Sequence, residues 1–137
     1  MGIIYWYFCK WIKNSTWGGI SNCLTIDYHV KRGLCAEPEI AIIDSQSSKN
    51  SSTCTENVSI DGDKLVKGRK CFYIVDLLGN LLTIFVVSAN HYDGTTAAKL
   101  WDTLGLNYHF LDHVQTIFAD ATFWWHFHQF DEKSVWY

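Results

Sequence analysis

Two short apolar runs in this chain end on an aspartate. IAII (Ile40 to Ile43) stops at Asp44, and VQTIFAD (Val114 to Asp120) closes on Asp120. The two residues are far apart in the chain, but they become neighbours if their strands lie side by side in one sheet. Paired carboxylates of this kind hold hard cations such as magnesium, which prefer oxygen ligands and keep waters for reaction. Two such ions about 4 Å apart activate an attacking water or hydroxyl and stabilise the leaving oxygen of a phosphodiester. Phosphoryl transfer on nucleic acid is the chemistry that this pattern implies. The plainer reading stays open beside it: an aspartate after a short strand is commonly a turn or cap residue.

Other residues invite similar questions. Lys64, Lys67, Arg69 and Lys70 form a basic cluster that suits DNA phosphates, or equally a solvated rim on a sheet edge. His126 and His128 would face one way on a strand, and His109 and His113 would share one helix face. Neither pair has a cysteine or a third ligand at zinc spacing, so both read as surface or half-buried histidines. Asp76, beside a Gly-Asn turn, and Asp93, ahead of a helix, read as structural.

The elements that must carry these residues follow from periodicity. YWYFCKWIKNSTW (Tyr5 to Trp17) has helical spacing, interrupted at Asn14, Ser15 and the Gly18-Gly19 pair. A second helix is predicted from Ile20 to Arg32, with Lys31 and Arg32 favouring its carboxyl end before Gly33. Pro38 marks a boundary. The strand at Ile40 is followed by a polar stretch, Ser45 to about Asp63, expected to be a long mobile loop. CFYIV and LLTIFVV then form a hairpin around Gly79-Asn80, with positive φ angles at the turn. TTAAKLWDTL carries an apolar stripe of Ala97, Leu100, Trp101 and Leu104, led by Asp93 and Thr95 as cap candidates. The order of strand, hairpin, helix and strand implies an α/β layer.

Composition narrows the class. With 137 residues, 48% of them hydrophobic, the chain suits one domain with a real core plus an appendage. A net charge of -3 gives no broad positive field, so any DNA contact must come from a local patch. The five cysteines, Cys9, Cys23, Cys35, Cys54 and Cys71, form no CxxC pair and read as free thiols in a reducing cytosol. MGIIYWYFC is a poor export signal, and LLTIFVV is far short of the roughly 20 residues of a membrane span. A cytoplasmic, soluble protein is expected.

The strings AIIDSQSSK (Ala41 to Lys49), IDGDKLVKGRK (Ile60 to Lys70), IVDLLGNLL (Ile74 to Leu82) and IFAD (Ile117 to Asp120) resemble, in order and spacing, insertion-sequence transposases of the four/five-type DDE group. The front string from Tyr5 is similar to the segment that joins an N-terminal DNA-binding region to the catalytic domain in those proteins. The resemblance implies an α/β fold with a ribonuclease H-like mixed sheet and flanking helices, incomplete at the C-terminus. Residues 1–37 would be a helical remnant and 38–137 a partial DDE domain. It further implies that Asp44 and Asp120 are the first and second ligands of magnesium or manganese, with DNA as substrate. In-line attack would come first from water and then from a freed DNA 3′-hydroxyl, and the basic cluster would lie on the DNA.

Departures from the family pattern carry weight too. Ala121, Thr122 and Phe123 replace the usual Gly-containing turn after the second aspartate, and Cys71 and Phe72 stand where a histidine is common. Glu132 follows Asp120 too closely to be the third carboxylate, which in the family lies on a much later helix. A chain ending early through a frameshift, a premature stop or a split gene is expected. It would be inactive alone, would survive as a DNA-binding remnant, or would work with a downstream-encoded C-terminal half or through self-association.

Overall fold

The computed structural model describes residues 2–51, 53, 56–105, 112–120, 122–123 and 134–136. The chain divides into two compact units, Met1–Glu37 and Pro38–Tyr137.

The first unit is a pair of helices, α1 (Ile3–Lys13) and α2 (Thr16–Lys31). The break falls at Asn14 and Ser15 alone. Asn14 Oδ1 accepts from the Thr16 amide and, at 2.6 Å, from its hydroxyl, while Ser15 turns the chain at φ 58°. Gly18 and Gly19, expected to help break the helix, lie inside α2. A glycine weakens a helix interior by only about 1 kcal/mol, so the pair lowers helix stability without by itself breaking the turn pattern. Trp11 of α1 meets Trp17 of α2 nearly edge-on at 5.3 Å. At the far end Gly33 adopts φ 72°, so that its amide reaches the Val30 carbonyl and the Leu34 amide that of His29. These two bonds are a Schellman motif, which only a residue at ease with positive φ completes without strain.

The second unit is built on a sheet. Its strands are β1 (Ile40–Lys49), β2 (Ser59–Asp61), β3 (Val66–Asp76), β4 (Leu81–Ser88), β5 (Thr116–Ala119) and β6 (Ser134–Trp136), with helix α3 (Asp93–Gly105) between β4 and β5. Among the described residues the order is β2-β3-β1-β5-β6, and β4 also pairs with β3. β1 runs antiparallel to β3 and parallel to β5. The fold is thus α/β with a ribonuclease H-like mixed sheet, as expected.

Alternation along β1 and β3 sends Ala41, Ile43, Phe72 and Ile74 to one face, where Ala97 and Trp101 of α3 close over them with Val114, Ile117 and Phe123. The hairpin is held by Asp76. Its Oδ1 accepts from the Leu78 and Asn80 amides, each at 2.8 Å, and its Oδ2 from the Asn80 side chain at 2.7 Å. Only Gly79, at φ 81°, takes the positive φ expected of both turn residues; Asn80 is tied to Asp76 instead.

The expected loop from Ser45 is strand as far as Lys49, and Ser59–Asp61 adds a further short strand. Pairing from Ser45↔Phe72 to Lys49↔Gly68 satisfies that backbone. Gly68 makes the close approach possible: a Cβ there would stand 1.9 Å from the Ser48 carbonyl oxygen. Among the described residues, no helix is long and apolar enough to cross a membrane.

Candidate metal and DNA site

The parallel pair of β1 and β5 ends at Ile43↔Ala119. Asp44 and Asp120 are the next residue on each strand, and both are exposed. Neighbouring strands lie about 4.8 Å apart, so the register places the two aspartates side by side where the pairing of β1 with β5 ends, Asp44 in the middle of β1 and Asp120 just past β5. Ile43 is buried in the core, and the pleat turns Asp44 to the opposite, solvent-facing side. The Ser45 amide donates to Asp44 Oδ1 at 2.7 Å. Asp120 is anchored differently: its carbonyl accepts from the Phe123 amide at 2.9 Å, and Phe123 is 1% exposed, edge-to-face with Phe72 at 6.4 Å.

Two carboxylates give only hard oxygen donors, which suit magnesium or manganese and do not suit a soft-metal site. Among the described residues, no group of three or more His, Cys, Asp or Glu gathers to hold a metal. His113 is exposed; His109, His126, His128 and Glu132 lie outside the described residues. Tyr73 is the β3 partner of Asp44. Burial first, then Cys71 and the Asp44 charge, raises its hydroxyl above the ordinary tyrosine value.

The basic cluster is split by the pleat of β3. Lys64 sits in the turn after β2 and is exposed, as is Lys67. Arg69 donates to the Glu56 carbonyl, at 2.8 Å through one terminal nitrogen. Lys70 stands apart from these three, with its side chain 5% exposed. Its ammonium donates to Asp93 Oδ1 at 2.6 Å and to the His91 carbonyl at 3.1 Å, and Asp61 Oδ2 lies 3.4 Å away. A phosphate reaches Lys70 only by displacing a carboxylate. Burial pulls the Lys70 pKa down, but the hydrogen bond and charge of Asp93, then those of Asp61, outweigh it and leave it raised.

This buried network was not foreseen. Ser47 donates to Asp61 Oδ2, and Ser45 to Asp93 Oδ2 at 3.0 Å. Asp61 Oδ1 also accepts from the Asp63 and Lys64 amides, shaping the turn that presents Lys64. The Ser47 bond leads in holding the Asp61 carboxyl down, to about 2. Asp93 begins α3, and its carboxylate accepts from Lys70 of β3 and Ser45 of β1. The signal available in sequence was an alternation of Ser45, Ser47 and Lys70 in phase with buried apolar neighbours.

No curated protein and no solved structure matches the chain. The transposase DDE domain matches residues 36–132, a span that takes in β1, the basic strand, α3 and both aspartates. With that match over most of its length, and an α/β sheet carrying paired aspartates, the chain belongs to the transposase DDE domain family.

Proposed function

We propose that this chain is a DNA transposition protein of the insertion-sequence four/five-type group, with Asp44 and Asp120 holding a divalent cation, magnesium or manganese, against a DNA phosphodiester. One observation supports the reading: the register Ile43↔Ala119 puts Asp44 and Asp120 next to one another where the β1–β5 pairing ends, and both are exposed. When bound, such cations activate an attacking hydroxyl and stabilise the leaving oxygen. The chain's own part is to supply two fixed carboxylate donors and, at the β2–β3 turn, the exposed ammonium groups of Lys64 and Lys67 for backbone phosphates. Arg69 lies beside them, while Lys70 acts from within the fold.

Two carboxylates leave a two-metal site short of ligands. A further carboxylate, on this reading, comes from a separately encoded C-terminal half. On this reading the 137-residue chain alone performs no cleavage or strand transfer. Incubated with transposon-end DNA and magnesium, it should nick no more than an Asp44→Ala control. Clear nicking that depends on Asp44 would overturn the proposed inactivity and leave the site assignment standing.

A second reading, a non-catalytic DNA-binding protein, is favoured by the exposed Lys64 and Lys67. Mn2+ binding that is lost in Asp44→Ala favours the first reading over this one, while duplex affinity measured against salt tests the lysine contacts that both share. Phosphate contacts give a steep log-linear loss, with the slope reduced by about one per lysine removed, and a flat response removes this reading.

A further inference from the structure

We propose that Ser45 and Asp93, braced by Lys70, are positioning residues for the carboxylate of Asp44. The inference rests on the reading of Asp44 as a metal ligand. A continuous path of short contacts connects them. Lys70 Nζ holds Asp93 Oδ1 at 2.6 Å, Asp93 Oδ2 accepts the Ser45 hydroxyl at 3.0 Å, and the Ser45 amide donates to Asp44 Oδ1 at 2.7 Å. Ser45 therefore grips two carboxylates from opposite sides of the strand, one through its side chain and one through its backbone.

The burial of each part makes this path directional. Ser45 is 8% exposed and Lys70 4%, so neither has water as an alternative partner, whereas Asp44 is exposed and otherwise free to rotate about its side-chain bonds. Fixing the peptide between Asp44 and Ser45 fixes the amide that aims Oδ1. Asp93 opens α3, so the same contact also locks the start of that helix to the strand carrying Asp44. Ser47 offers an internal comparison. It lies two residues further along β1 in the same network, bonded to Asp61, and these contacts link it to Asp44 by way of Asp61, Lys70, Asp93 and Ser45 rather than directly.

The test is Mn2+ binding to the full chain, read from the free-ion signal in electron paramagnetic resonance, with near-ultraviolet circular dichroism reporting folding. Wild type, Asp44→Ala, Ser45→Ala, Asp93→Asn and Ser47→Ala are compared. Residues that orient a ligand typically alter metal affinity about 10- to 100-fold, so Ser45→Ala and Asp93→Asn should weaken Mn2+ by that order while Ser47→Ala stays within a few-fold of wild type. Ser45→Ala decides the matter if Asp93→Asn fails to fold, because it leaves the Lys70–Asp93 pair intact. If wild type binds no Mn2+, or Asp44→Ala binds as well as wild type, the metal reading falls and the inference with it. If Asp44→Ala loses binding while Ser45→Ala keeps it, or if Ser47→Ala loses as much as Ser45→Ala, positioning is overturned and the metal reading survives.

Discussion

The ammonium of Lys70 lies 2.6 Å from Asp93 Oδ1 with its side chain 5% exposed, a cation enclosed by the sheet and the start of α3. Breaking a buried pair by removing one partner leaves an uncompensated charge and costs about 3–5 kcal/mol. Here the loss of Lys70 strands Asp93 and also Asp61, 3.4 Å away. Lys70→Met should therefore lower the unfolding free energy by at least about 3 kcal/mol in urea denaturation. Lys31→Met, which removes the exposed i,i+4 pair with Asp27 in α2, should cost about 0.5 kcal/mol or less. Equal effects would mean that the Lys70 pair is solvated in solution.

Asp61 makes the same network sensitive to acid. Its carboxyl is held at about 2, below the ordinary 3.8, led by the Ser47 hydrogen bond. A depressed folded-state pKa contributes stability that is complete above the unfolded value and disappears as pH falls through the folded one. The contribution is thus full above about pH 4 and lost towards about pH 2. The raised Lys70 value acts in the opposite sense, its share being present at neutral pH and lost only as pH rises through the alkaline folded value. Across the acid window, unfolding free energy should fall more steeply for wild type than for Asp61→Asn. Parallel curves would show that Asp61 is not ionised against this network.

Gly68 allows the ends of β1 and β3 to meet. A Cβ at this position would lie 1.9 Å from the Ser48 carbonyl oxygen and 3.0 Å from the Asn50 amide, and both are backbone atoms that cannot swing aside. Gly68→Ala should force the strands apart and cost about 1–3 kcal/mol, the usual penalty of overpacking. Amide exchange would locate the damage. Protection should fall at Asn50, whose amide bonds to the Lys67 carbonyl, and persist at Ile74 in mid-strand.

What was legible in the sequence divides by physical cause. Asp44 and Asp120 stood out because each closes a β-branched or aromatic run, and parallel pairing brings such ends together. The end of α2 was equally plain, since Gly33 supplies the positive φ that its capping requires. The second half of β1 was hidden because its inward residues, Ser45 and Ser47, are polar and satisfied by Asp93 and Asp61. An inward-facing hydroxyl looks like loop until its partner is known. Lys70 was obscured by company: in a run of cations nothing local distinguishes the one whose pleat position points it into the core. The aromatic residues of α1 announce a helix correctly, but helical period says nothing of what covers Trp6, 54% exposed in this structure.

Phe123 ties the departure from the usual family string to the second aspartate. Its ring is 1% exposed and meets Phe72 at 88°, a favourable edge-to-face arrangement, while its amide holds the Asp120 carbonyl. The residues after Asp120 therefore still return the chain to the core, through an aromatic anchor rather than a glycine turn. Phe123→Ala should cost about 3–5 kcal/mol by opening a cavity against Phe72, and Phe123→Leu, which conserves most of the volume, under about 1.5 kcal/mol. Because Asp120 loses its anchor with the ring, Phe123→Ala should also weaken Mn2+ binding in protein that remains folded, whereas Phe123→Leu should retain it. Loss of stability with unaltered Mn2+ affinity would show that Asp120 is held by β5 alone.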